Sequence, residues 1–298
     1  MQAIDVEQHR GDAAELVRAL ERGDILLFPQ TPLQISASHR NALLNAGQAD
    51  GNFHKNISYK PNQDRISGLG AATPGEEENV RNALRDYSQA AIRLLEQTLA
   101  PYRAKWKLDY ASFRSIEEEG RDLNLKKRND LLHTDAFPTR PTNGGLILRC
   151  FTNINPEKYR VWVTGDPFAA VASEWAMQAG LGRIAAGSAF KYLQRTATRA
   201  LHSLGLPIVD RSPYDEFMLG FHDFLKGNTA YQERTTKHRF TFPPNSTWMV
   251  FTDVVPHSVL SGRYALEQTM IIPRESLLQP ECAPVAILEK LCGRKLTD

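Results

Sequence analysis

From about residue 110 onward the chain turns to short apolar runs bounded by turn residues, a texture that points to strands. Leu131-Leu132-His133 is one such run, Gly145 to Thr152 a second and Tyr159 to Val163 a third. Thr247 to Thr252 and Glu267 to Ile272 follow much later. Residues 168–204 and 213–226, between the third run and the fourth, have a helical pattern. The expectation is therefore a β-sheet core carrying a helical insertion. Ahead of the core, residues 13–22 read as a short helix ended by Gly23, and Asp24 to Pro29 as a strand stopped by proline. Residues 38–46 read as helix. Residues 75–100 read as a long one: Glu76, Glu77 and Glu78 suit its N-terminus, and Val80, Leu84, Tyr87, Ala91, Leu94, Leu95 and Leu99 recur at helical spacing before Pro101. The fold class is mixed α+β, with N-terminal helices buttressing one face. With no internal repeat or linker, residues 1–298 read as one domain. Its parts are a helical stretch to about 108, a core over about 109–275 with an insertion at about 168–226, and a tail, 276–298, with a helix ended by Gly293.

Composition removes several classes of function. The 36 basic and 34 acidic residues leave a formal charge of +2, so a nucleic-acid protein is not expected. Three cysteines in no metal or redox spacing argue against a disulfide scaffold and for a reducing cytoplasm. The first residues carry Asp5, Glu7 and Asp12 and lack an apolar core, unlike a signal peptide. No stretch reaches the ~18 apolar residues of a membrane span.

His133-Thr134-Asp135 is the one His-x-Asp in the chain. On extended backbone, residues i and i+2 point to the same side, so an imidazole nitrogen and a carboxylate oxygen can occupy neighbouring positions on one metal. A second histidine would complete a two-histidine, one-carboxylate set with three positions open, which suits iron(II), a 2-oxo acid and dioxygen. The Leu131-Leu132 lead-in and the break at Ala136-Phe137-Pro138 place the pair at a strand mouth. The bland alternative is a surface pair at a strand end. His257 is the candidate for the distal ligand, because it follows a strand and a turn and starts a second strand. A 2-oxo diacid also needs a cation, and arginine's planar fork suits its far carboxylate. Arg149 interrupts an apolar strand and is favoured, with Asn153 and Gln268 as hydrogen-bonding partners. Arg263 is the rival, or a substrate contact.

The segments His133 to Pro141 and Leu148 to Pro156 resemble the Kdo 3-hydroxylase family. So do Lys55 to Tyr59 upstream, and Val255 to Val259 with Ala265 to Thr269 downstream; together they span roughly residues 53–274. The resemblance implies a double-stranded β-helix (jelly-roll) core and chemistry that uses Fe(II), 2-oxoglutarate and O2. It implies hydroxylation at C3 of 3-deoxy-D-manno-oct-2-ulosonic acid (Kdo) in the lipid A inner core, giving Ko, in a Gram-negative bacterium. His133, Asp135 and His257 match the family's metal positions. Asn56, Ser58 and Tyr59 are implied to contact sugar hydroxyls, and Lys55 the sugar carboxylate.

Such a substrate is an anionic glycolipid. Arg121, Lys126, Lys127 and Arg128 precede His133, and Lys191, Arg195 and Arg199 recur four apart on a helical stretch. That stripe suits phosphates or peripheral contact with the inner membrane, although for the stripe taken alone a solvated helix face is the favoured explanation. Three competing readings stand: an oxygenase of the same chemistry on another substrate, a non-catalytic β-barrel binding module, and a zinc hydrolase. The last is disfavoured because no general-base glutamate adjoins His133 or His257.

Overall fold

The computed structural model describes residues 1–9, 11–49, 56–186 and 209–297. Strand β1 (Ala3–Asp5) pairs in parallel with β2 (Ile25–Phe28) across helix α1 (Ala13–Glu21), whose first turn is capped by the Asp12 carboxylate. Helix α2 (Ala37–Asn45) follows, then the antiparallel pair β3 (Ile57–Lys60) and β4 (Arg65–Ser67). Helix α3 (Pro74–Thr98) has proline in its first turn and a full capping box between Thr73 and Glu76. Its apolar face packs across β3 and the long strands β5 (Lys107–Arg114) and β11 (Ala265–Ile272), and Tyr87 Oη donates to the carbonyl of Cys150 at 3.0 Å.

Between β5 and β11 run β6 (Leu146–Asn153), β7 (Arg160–Thr164), helices α4 (Phe168–Trp175), α5 (Leu181–Ala186), α6 (Pro213–Gly227) and α7 (Thr229–Arg234), then β8 (His238–Phe242), β9 (Thr247–Phe251) and β10 (His257–Ser261). Helix α8 (Pro284–Cys292) closes the chain, with Gly293 in the left-handed conformation at its end. The large sheet has the order β1-β2-β9-β6-β11-β5-β3-β4 and the small one β10-β7-β8. From β6 to β11 the chain crosses between the two sheets at every step except β7 to β8, which pair within the small sheet, and every pairing except β1 with β2 is antiparallel. This is the jelly-roll core. Its interior holds Phe151, Trp162, Phe242 and Trp248, all buried, with the Phe242 and Trp248 rings stacked at 3.9 Å. Truncating any of these to alanine costs about 3–5 kcal/mol, because the sandwich cannot close over the void.

The N-terminal part is less helical than its sequence suggests, since it supplies β1 to β4 and so both edges of the large sheet. Of these, β2 is the strand read at Asp24 to Pro29; β1, β3 and β4 have three or four residues each, too few to show a period. The basic segment around His238 is strand β8. Leu131-Leu132-His133 is not a strand: one bridge, His133 to His257, is its only sheet pairing among the described residues. The insertion contains α4, α5 and α6 as expected; Lys191, Arg195 and Arg199 lie outside the described residues.

Candidate active site

The cavity between the sheets opens under α6 and has a volume of about 520 Å³. At its floor the backbones of His133 and His257 are tied reciprocally: His133 N donates to His257 O at 3.1 Å, and His257 N to His133 O at 2.9 Å. Two residues on, Asp135 N donates to Thr252 O at 2.9 Å. The register brings one ligand atom each from His133, Asp135 and His257 within 4.8 Å of one another. Each imidazole is held from behind, His133 Nδ1 by Leu131 O at 2.7 Å and His257 Nδ1 by Val255 O at 2.9 Å. A carbonyl only accepts, so Nδ1 carries the proton and the Nε2 lone pair is left for a metal. Trp162 stacks on His257 at 5.1 Å and fixes the ring plane.

The electrostatics agree with that role. Burial holds His133 well below the ordinary histidine range, helped by the neighbouring His257 and Lys226, and burial also lowers His257. Burial alone would raise Asp135, but Arg149 with the two histidines overrides it, and the carboxylate lies below its usual range. Two neutral imidazoles and one carboxylate are the donor set that suits divalent iron. Asp135 Oδ2 lies 2.9 Å from Arg149 Nη2 as an ion pair, without an aligned hydrogen bond, and is buried.

The ligand segment is also gripped by the helical insertion. Gln232 on α7 accepts from Leu132 N at 3.0 Å and donates to Leu132 O at 2.8 Å. His222 on α6 bonds through Nδ1 to Thr134 O at 2.8 Å and sets its ring edge against His133 at 4.8 Å.

Four arginines line the cavity: Arg114, Arg140, Arg149 and Arg160. The buried Glu267 carboxylate joins two of them, accepting from Arg114 Nε at 3.0 Å and Nη2 at 2.6 Å, and from Arg149 Nη1. Arg160 differs. It is fully buried, its Nη1 donates to Gly262 O at 2.8 Å, and its Nε and Nη2 have no hydrogen-bond partner. Glu118, at 3.7 Å, is the acid that balances it. Gly262, at φ +117, is required here: a Cβ would stand 2.9 Å from Arg160 Cα.

Several residues chosen from sequence lie elsewhere. Asn153 donates to Lys158 O and Phe242 O and accepts from Asn155 N, which closes the turn after β6. Gln268 alternates away from the cavity face of β11 and donates to Asp109 O and Thr269 O. Arg263 rests on the Tyr264 ring at 3.8 Å and does not line the cavity. Tyr59 turns to the opposite face from Ser58 and donates to Asp64. Asn56 and Ser58 do line the cavity, and Lys55 lies outside the described residues. Arg114, Arg140, Arg160, His222 and Glu267 line it without having been singled out by the sequence argument for the site.

A jelly roll whose mouth holds two imidazoles and a carboxylate defines the class of non-haem iron(II) oxygenases. A family model for 3-deoxy-D-manno-oct-2-ulosonic acid (Kdo) hydroxylases matches residues 3–295, and the chain belongs to that family. Among solved structures it resembles the Kdo hydroxylase KdoO, a non-haem Fe(II) α-ketoglutarate-dependent dioxygenase. The cobalt(II) complex of KdoO aligns with a TM-score of 0.84 and 31% identity over 99% of this chain and 97% of that one. Its complex with α-ketoglutarate and Fe(III) gives 0.83 and 31% over 100% and 98%, and its apo form 0.83 and 32% over 100% and 97%. No curated protein matches the chain in sequence.

Proposed function

We propose that this chain uses Fe(II), 2-oxoglutarate and O2 to hydroxylate C3 of Kdo in a Kdo-lipid A precursor, giving Ko. The observation that carries this reading is the convergence of His133, Asp135 and His257 with both Nδ1 protons tied back to carbonyls. When bound, iron(II) with 2-oxoglutarate and O2 supplies the oxidising power that replaces C–H by C–OH, with succinate and CO2 as co-products. The chain's own residues hold the reactants in place and keep water out. Arg149 holds the Asp135 carboxylate anionic and turned toward the histidines. Arg160 is the group for the far carboxylate of 2-oxoglutarate, because its buried Nε and Nη2 have no hydrogen-bond partner and Glu118 stands off at 3.7 Å, whereas Arg149 is closely engaged by Asp135 and Glu267. Asn56, Ser58, Ser112 and Thr269 line the wall as partners for sugar hydroxyls.

The rim residues Lys126 and Lys127 suit the phosphates of a lipid A substrate presented at the inner face of the inner membrane. No helix among the described residues is long and apolar enough to cross a membrane. The proposal places the enzyme in the cytoplasm, where it meets its lipid peripherally.

The test is to load the protein anaerobically with iron(II), add 2-oxoglutarate, O2 and Kdo-lipid A, and weigh the sugar by mass spectrometry. A gain of one oxygen that requires 2-oxoglutarate and disappears in His133→Ala and Asp135→Ala supports the proposal. Succinate without oxygen on the sugar would retain the oxygenase chemistry and discard this substrate.

A further inference from the structure

Building on the function proposed above, we infer that Arg140 reads the C1 carboxylate of the ulosonic sugar, selecting an acidic sugar and setting which carbon faces the iron site. Six basic side chains line the cavity: Arg114, Lys126, Lys127, Arg140, Arg149 and Arg160. Arg114 and Arg149 are held by Glu267 and Asp135, and Arg160 lies fully buried. Lys126 pairs with Asp223 at 2.6 Å, and neither lysine has a planar fork.

Arg140 is built differently. Its guanidinium lies between two rings, 4.1 Å from the centre of Tyr110 and 4.4 Å from that of Phe137. Nη1 donates to Asp109 Oδ1 at 2.7 Å. Two stacking faces and one anchored nitrogen fix the plane of the fork. Nε and Nη2 meet no partner among the described residues, and the side chain is 31% exposed at the cavity mouth. A rigid guanidinium with an open edge binds a carboxylate bidentately and loses little rotamer freedom in doing so.

The position matches the chemistry of the substrate. In a 3-deoxy-2-ulosonic acid the C1 carboxylate is two bonds from C3, so the cation that reads it must stand within one sugar of the metal ligands. Phe137 provides that link: Arg140 Cζ lies 4.4 Å and Arg149 Cζ 5.5 Å from the centre of its ring, and Arg149 contacts Asp135 at 2.9 Å. Arg140 thus shares one aromatic ring with the arginine that holds the proposed metal carboxylate.

The test compares a Kdo substrate with its C1 carboxamide, which has the same shape and no charge. For the wild-type chain, kcat/KM should favour the acid by about 10- to 100-fold, the worth of a charge-assisted pair. Arg140→Gln should compress that preference to about threefold or less, chiefly by loss on the acid, and Arg140→Lys should recover part of it. Equal losses on both sugars, with the preference intact, would mean that Arg140 only clips its loop to β5, and would overturn the inference. If Arg140→Gln fails to fold, a wild-type chain that does not distinguish acid from amide overturns it equally. No oxygen transfer to either sugar by the wild-type chain, with 2-oxoglutarate consumed, would instead remove the proposed substrate.

Discussion

Glu267 gives the sharpest test of how the cavity floor is held together. Its carboxylate is buried and receives two hydrogen bonds from Arg114, one from Arg149 and one from the Thr269 hydroxyl at 3.2 Å. Glu267→Gln keeps the shape and removes the charge. The amide then turns an N–H toward a guanidinium that can only donate, and the buried Arg149 and half-buried Arg114 lose their shared counter-ion. Removing one partner from a buried ionic cluster costs about 3–5 kcal/mol. Unfolding entropy near ~2.1 cal/mol/K per residue gives about 0.6 kcal/mol per degree for 298 residues, so the melting temperature should fall by about 5–8 °C. The pH dependence adds a sign. Burial raises the Glu267 pKa, but Arg149 and Arg114 more than offset it, leaving the folded pKa below the ordinary value. Its contribution is therefore full above the unfolded glutamate pKa of about 4.3 and is lost as pH falls through the folded pKa. Scanning calorimetry of metal-free protein should show the full gap near pH 7 and a narrowing gap at the acid end. A variant melting within a degree of wild type at pH 7, or a gap that widens in acid, would refute the account.

Other outcomes follow from the same geometry. Asp135→Ala and His257→Ala should each weaken divalent metal binding by about 100-fold or more, measured by cobalt(II) titration in the visible. Arg160→Lys keeps the charge and loses the fork, so the KM for 2-oxoglutarate should rise about tenfold or more while cobalt(II) affinity stays within about threefold; the reverse pattern would assign the co-substrate to another arginine. His222 is pushed down to about 4, first by burial and then by Lys226, so the unfolded chain protonates it before the folded chain does. Stability should fall between pH ~6.5 and the folded value by on the order of 3 kcal/mol, and His222→Gln should flatten that acid limb in urea titrations at successive pH values.

The clustering of His133, Asp135 and His257 was legible because its signal is local. One His-x-Asp after a short apolar run and one histidine starting a strand after a turn are short-range features, and the single bridge between the two histidines supplies the rest. The cations were legible only in part. Every residue of β6 is buried and nearly every residue of β11, so polarity does not reveal which face meets the cavity. Arg149 stood out within its apolar run, but in β11 the cavity side belongs to Glu267 and Thr269 and not to Gln268. Arg160 begins its strand next to the exposed Tyr159, where an arginine reads as a strand cap. Its role depends on Gly262, 102 residues away. His222 is inconspicuous in sequence, because nothing in α6 itself announces that Thr134 lies opposite it.

The paired backbones of His133 and His257 bear on how the protein acquires its ion. Backbone hydrogen bonds set the spacing of the two proposed ligands, so on that proposal the receptor is complete once the jelly roll has formed. Folding then cannot serve as a checkpoint for the incoming ion, as it does where a chain stays unfolded until metallated. A receptor that needs no induction admits any divalent ion of suitable size, and by intrinsic preference nickel, copper and zinc would outcompete iron. Faithful loading with iron must then come from the relative supply of ions around the protein and from the exchange its open mouth permits.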